Sequence, residues 1–133
     1  MNFSKECDAF IRFNTVEAIV ESSTLERVSK ILPISSGSSI DWSDVLNSEE
    51  VESVSADSLV QSILSISNRA EIDLTKPCFA IQLNEAVPPL LTTINDWSNF
   101  SYELDFVDTI FVAEDYSWIV HWDFYKNLHA LRA

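Results

Sequence analysis

Glycine is almost missing from this chain: Gly37 is the single one among 133 residues. P-loops and dinucleotide-binding turns need several closely spaced glycines, because their backbone must approach phosphate without a Cβ, so both are excluded. The strained G-x-S-x-G elbow of serine hydrolases is excluded on the same ground, although serine is abundant. Cysteine is scarce too. Cys7 and Cys78 lie far apart and form no CxxC pair, so neither a metal clip nor a thioredoxin-type centre is supported. Long apolar runs are absent, and no stretch approaches the ~18 residues that span a bilayer. The opening Met1-Asn2-Phe3-Ser4-Lys5-Glu6 has neither the basic nor the apolar part of a secretory signal. The expected compartment is therefore the cytoplasm, with both thiols reduced and buried.

Positive charge is the other shortage. Eight Lys and Arg stand against 21 Asp and Glu, a formal net charge of −13 with a pI near 4.2. No basic residue falls between Lys30 and Arg69, or between Lys76 and Lys126, and those two windows hold fourteen of the 21 acids. Such a chain is repelled by nucleic acid and by anionic membranes. A basic protein is attracted, and steering can raise its association rate by roughly 10- to 1,000-fold. The alternative is a solvated acidic surface that only keeps the chain soluble.

What is present is apolar substance: 47% of residues are hydrophobic, with eight Phe, four Trp and three Tyr. At this length that supports one compact domain over residues 1–133 without metals or disulfides. A stripe from Phe3 through Cys7, Phe10, Ile11 and Phe13 to Val16, Ile19 and Val20 has helical spacing, although a strand at Ala9–Phe13 stays open. Ser23-Thr24-Leu25-Glu26 has the form of a capping box opening a helix that carries Leu25, Val28, Ile31 and Leu32 inward and stops before Pro33. Ser55 is expected to cap a helix over 56–68 with Leu59, Val60, Ile63, Leu64 and Ile66 buried. A strand is expected at 78–83, and Pro88-Pro89 suit the first turn of a helix carrying Leu90, Leu91, Ile94 and Trp97. Alternation predicts strands at 102–106, 109–113 and 118–124, the last two joined by the turn Glu114-Asp115-Tyr116-Ser117. The fold class expected is α+β, with N-terminal helices packed on a C-terminal antiparallel sheet.

Catalytic constellations are thin. His121 and Asp123 sit two apart on the same strand face and could form an acid–base dyad, with His129 near in sequence. No third ligand completes a metal site, and alternation with Val120 and Trp122 suggests an exposed or rim position for His121. Neither a metal nor a cofactor is expected. Acids beside large rings are more frequent: Asp41-Trp42-Ser43-Asp44, Asp96-Trp97, Asp115-Tyr116 and Trp122-Asp123. Tyr and Trp favour interface centres, and neighbouring carboxylates can take Lys or Arg. Trp97 and Trp118 read as core, whereas Trp42 and Tyr116 fall in loops. The candidate partner-binding residues are Asp41, Trp42, Asp44, Glu49, Glu50 and Glu52 in one acidic patch, and Glu114, Asp115 and Tyr116 at the hairpin tip in another.

The segment Thr109-Ile110-Phe111-Val112-Ala113-Glu114-Asp115-Tyr116-Ser117-Trp118-Ile119-Val120-His121 is similar to a strand–acidic turn–Ser-Trp–strand stretch in small bacterial immunity proteins of polymorphic toxin systems, contact-dependent growth inhibition among them. The similarity covers about a tenth of the chain, and such families share no invariant functional motif. It implies a role: binding a cognate basic toxin domain, often a nuclease, and occluding its active site or an adjacent exosite. Two other readings stay open, an acidic adaptor or regulatory subunit for another basic protein, and an enzyme using His121 and Asp123. The toxin's chemistry and the oligomeric state are not encoded in any motif.

Overall fold

In a computed structural model, residues 3–32, 40–43, 45, 47–82, 87–105 and 108–132 are described. Helix α1 (Lys5–Asn14) starts at Ser4, whose Oγ accepts the Cys7 N–H at 3.2 Å, and it buries Cys7 and Ile11 one turn apart. Glu6 and Asp8 in its first turn and Arg12 in its last suit the helix dipole. The helix stops because Thr15 bridges to Leu90 and the Val16 N–H donates to Pro89 O, drawing the chain into extended form. Helix α2 (Ala18–Ser29) restarts at once, so Ser23 and Glu26 lie inside it and the expected capping box does not form. Val28 and Leu32 are buried as expected, but Ile31 is exposed.

Strand β1 (Glu49–Val51) is followed by a turn over Ala56–Ser58 and by helix α3 (Leu59–Ala70). Ser55 therefore heads the turn rather than the helix, with its N–H donating to Ser58 Oγ. Leu59, Ile63 and Ile66 face inward, whereas Val60 and Leu64 are exposed, contrary to expectation. At ~100° per residue they fall off the buried stripe. Strand β2 (Cys78–Gln82) comes next, and then strand β3 (Leu90–Thr92), where a helix was expected. Pairing of Leu90 with Ala80 and of Thr92 with Cys78 overrides the helical reading of Pro88-Pro89. Helix α4 (Ile94–Ser98) begins only after Thr93, whose Oγ1 accepts the Asp96 N–H.

Helix α5 (Ser101–Leu104) replaces the strand expected from Tyr102; Phe106 lies outside the described residues. The buried set Ile94, Trp97, Ser101 and Leu104 runs at intervals of three and four, a helical period that outweighed the short alternation. Strands β4 (Thr109–Ala113) and β5 (Trp118–Trp122) form the expected hairpin, and β6 (Leu128–Arg132) follows. Among the described residues, one antiparallel sheet of six strands has the order β1-β6-β5-β4-β2-β3. The class is α+β.

The sheet is covered on both faces, which is why β4 and β5 are buried along their whole length. On one side α1, α3, α4 and α5 pack over Ala80, Phe111, Val120, Trp122 and Ala130. Trp97 meets Phe111 and Trp122 edge-on, at ring distances of 5.0 and 6.2 Å. On the other side Val28, Leu32 and Ile40 cover Ile110, Val112, Ile119 and Leu131. Trp97 and Trp118 are core residues, as expected. Among the described residues no helix is long and apolar enough to cross a membrane.

Cys7 and Cys78 are both free and buried in the larger core. Burial, helped by the carboxylates of Glu103 and Asp8, raises the Cys7 thiol to about 11, and burial raises Cys78 to about 12. Neither thiolate forms appreciably at pH 8, and neither sulfur is accessible. The native protein is therefore expected to leave a thiol-reactive chromophore unreacted at pH 8 and to consume two equivalents once unfolded in guanidinium. Rapid native labelling would show that one of these sites opens without global unfolding.

Candidate functional site

One row of side chains crosses the sheet on the face covered by α2. The strand register aligns Ile81, Ile110, His121, His129 and Glu50 in that order, so the row passes from aliphatic to ionisable at the β1 edge. Because strand side chains alternate, Glu49 and Val51 point to the opposite face. Trp42, supplied by the segment after Ile40, lies over the polar half of the row. Its Nε1–H donates to His121 Nδ1 at 2.8 Å, and its ring stacks on His129 at 4.9 Å with an interplanar angle of 3°.

The indole N–H can only donate, so His121 Nδ1 must be the acceptor and the ring proton resides on Nε2. Nε2 then donates to Asp108 Oδ1 at 2.9 Å, and the same oxygen accepts the Phe124 N–H at 3.0 Å. Burial works to raise the Asp108 carboxyl, but the His121 and Phe124 hydrogen bonds with nearby Lys126 outweigh it and hold it below the usual range. His129 Nε2 meets Asp123 Oδ2 at 2.9 Å, and its Nδ1 faces Glu50 Oε1 at 3.7 Å. His121 is fully buried, not at the rim as the alternation suggested. Covering by Trp42 is the reason, and no sequence spacing encodes it. His121 and Asp123 do not form a dyad either: the strand ends at Trp122, and Asp123 turns away to His129. Both His121 nitrogens are engaged inside the protein. Among the described residues no group of three or more His, Cys, Asp or Glu could hold a metal ion.

Beyond β5 the chain makes a tight turn around the Asp123 carboxylate, whose Oδ1 accepts the N–H groups of Tyr125 and Asn127 at 2.9 Å each. Lys126 closes it with φ 67°, and its ammonium is held by Asp105 and by the Trp122 ring 4.5 Å below. The end of β1 is tied to this turn: the Val54 N–H donates to Lys126 O at 2.7 Å and the Ser53 N–H to Asn127 Oδ1 at 3.3 Å. These bonds set the end of β1 against the turn, and His129 lies between Glu50 and Asp123. Phe124 and Tyr125 project from the turn with 62% and 80% of their surface exposed, ring to ring at 5.7 Å and 89°.

Of the expected binding residues, Asp41, Trp42, Glu50 and Glu52 gather at this end of the sheet. Asp41 is exposed and held ionised by the Ser43 hydroxyl and N–H, which lower its carboxyl. Trp42 is half-buried, and Glu50 and Glu52 are exposed. Asp44 lies outside the described residues. Glu49 is drawn to the other face, where Arg69 meets it at 3.6 Å.

Glu114, Asp115 and Tyr116 sit at the far end of β5, so the two patches are separate surfaces. At that tip Tyr116, at φ 61°, packs against the smaller core with Arg27 4.3 Å over its ring. Asp115 accepts from Ser117, which lowers its carboxyl, and it pairs with Lys76 at 3.3 Å. Glu114 is exposed. A cleft of about 310 Å³ opens beside the tip between Glu71, Asp73, Lys76, Ser117, Trp118 and Arg132, and Arg132 holds Glu71 at 2.6 Å. The cleft beside the tip thus carries two cations and two acids.

Sequence reasoning missed Asp108, His129, Phe124 and Tyr125 as members of one surface. The rule that marked Asp41-Trp42, an acid beside a large ring outside a regular element, also marks Asp123-Phe124-Tyr125. Treating Phe124 as the end of a strand concealed it. In comparisons with known proteins, no family model, no curated protein and no solved structure matches this chain.

Proposed function

We propose that this chain is a non-catalytic inhibitor of the immunity type, which binds a basic toxin domain and blocks it through the acidic end of the sheet. The observation that carries this reading is the set of carboxylates there. Asp41, Glu50 and Glu52 are all exposed with no Lys or Arg partner among the described residues; in the other patch Glu114 is unpaired too, but Asp115 is held by Lys76 and Tyr116 lies under Arg27. Uncompensated like charges on a folded surface repel one another, and a positively charged partner relieves that repulsion. A nuclease fits this description, since its substrate groove is already built to attract phosphate. Occupation of both His121 nitrogens supports binding over catalysis, because a general base needs a free nitrogen facing its substrate.

The test is co-expression with the C-terminal domain of the protein encoded directly upstream. A stable stoichiometric complex and restored growth are expected when that domain is toxic by itself. Absence of both the complex and the protection would remove the immunity reading. Binding to some other basic protein in its place would make the chain an adaptor.

A further inference from the structure

We infer that the turn carrying Phe124 and Tyr125 is a seat for an arginine side chain of the partner, the face of one ring of this perpendicular pair receiving the guanidinium plane and Asp108 receiving its N–H groups. The inference rests on the reading of this end of the sheet as a partner surface, and it adds which residue type that surface selects. Two large rings at 62% and 80% exposure are an expensive thing to hold in water. Their backbone is nonetheless fixed. The Phe124 N–H is held by Asp108 and the Tyr125 N–H by Asp123, and the turn is anchored to the end of β1 through Val54. A backbone ordered in advance loses little freedom on binding, and aromatic anchors carry much of the energy of an interface.

The carboxylate geometry selects the chemistry of the occupant. Asp108 Oδ1 is saturated by His121 and Phe124, while Oδ2 has no partner among the described residues. The side chain keeps 18% of its surface open. Asp108 is ionised, so it presents a charged acceptor bonded to the backbone of Phe124, whose ring is exposed. Guanidinium satisfies both at once, since it is planar, stacks on aromatic faces and donates in its own plane. Ammonium can use the charge but not the stack. The neighbouring Lys126 does not compete, because Asp105 and the Trp122 ring hold it. Glu50 and Glu52 attract basic segments generally, and Phe124, Tyr125 and Asp108 discriminate among them.

The experiment titrates isotope-labelled protein at physiological salt with an arginine-rich nonapeptide and with its lysine counterpart, following backbone amides and affinity. Amides of Phe124, Tyr125 and Asp108 are expected to shift first, and the arginine peptide to bind about tenfold more tightly. The double variant Phe124→Ala/Tyr125→Ala is expected to abolish that preference while the unfolding midpoint stays unchanged. Equal affinity for the two peptides, shifts centred on Glu114 and Asp115, or an arginine preference that survives the double substitution would each overturn the inference. If the preference is found but the upstream domain does not bind, the toxin reading alone fails. If that domain binds the double variant as tightly as the wild type, the arginine seat alone fails.

Discussion

Replacing Asp41, Glu50 and Glu52 together by lysine is expected to weaken the complex with the toxin domain by a hundredfold or more, about 3 kcal/mol. The three side chains are exposed and lie at the end of the sheet where no Lys or Arg among the described residues neutralises them. Each reversal therefore removes an attraction and adds a repulsion. Most of the loss should appear in the association rate, since exposed charges act at a distance and steer the encounter. Wild-type binding should then weaken as salt rises, and the triple variant should show little salt dependence. Stability should move by only about 0.5 kcal/mol, as is usual for surface substitutions. Reversal of Glu114 and Asp115 provides the contrast. Lys76 already pairs with Asp115 and Arg27 lies over Tyr116 at that tip, so a smaller effect on affinity is expected. Association kinetics over a salt series measure all of this, and a triple variant that binds like the wild type would make the acidic end a solvated surface.

The second large effect is on stability. Asp108→Ala is expected to cost about 1–3 kcal/mol, because it strands the buried His121 Nε2–H and the Phe124 N–H without an acceptor. Asp108→Asn retains an acceptor and should recover much of the loss. The two variants also separate hydrogen bonding from charge. The Asp108 carboxyl titrates lower in the folded chain than in the unfolded one, where it lies near ~3.9. Its charged form therefore contributes stability that is fully present above that unfolded value and is lost as pH falls through the folded one. Denaturant midpoints followed from pH 7 to pH 3 should fall less steeply for Asp108→Asn than for the wild type at the acid end. Parallel curves would mean that the carboxylate's charge contributes nothing to the His121 contact.

How far these contacts were legible differs from element to element. The β4–β5 hairpin could be read because its two apolar runs and polar turn are a local pattern, and local pairing satisfied it. The buried sets of α3 and α4 could be read in part, since their helical periodicity was kept where no strand partner competed. Expectation failed where a distant segment intervened. Leu90–Thr92 followed two prolines and looked helical until β2 supplied a partner strand. His121 looked exposed until Trp42, 79 residues away, covered it and took its nitrogen. The strands β1 and β6 escaped notice because their residues, Glu49–Val51 and Leu128–Arg132, show little alternation of their own.

The amino-acid order by itself determined the sign and excess of charge, the missing catalytic motifs, the size of the core and the mixed α+β class. These follow from composition and short-range periodicity, which no folding event alters. Tertiary structure alone decided which carboxylates are neutralised and which are left open. It gave Arg69 to Glu49 and Lys76 to Asp115, and it left Glu50 and Glu52 exposed without a Lys or Arg partner among the described residues. The physical reason is range: a carboxylate's partner is set by strand register and by turns that join segments dozens of residues apart.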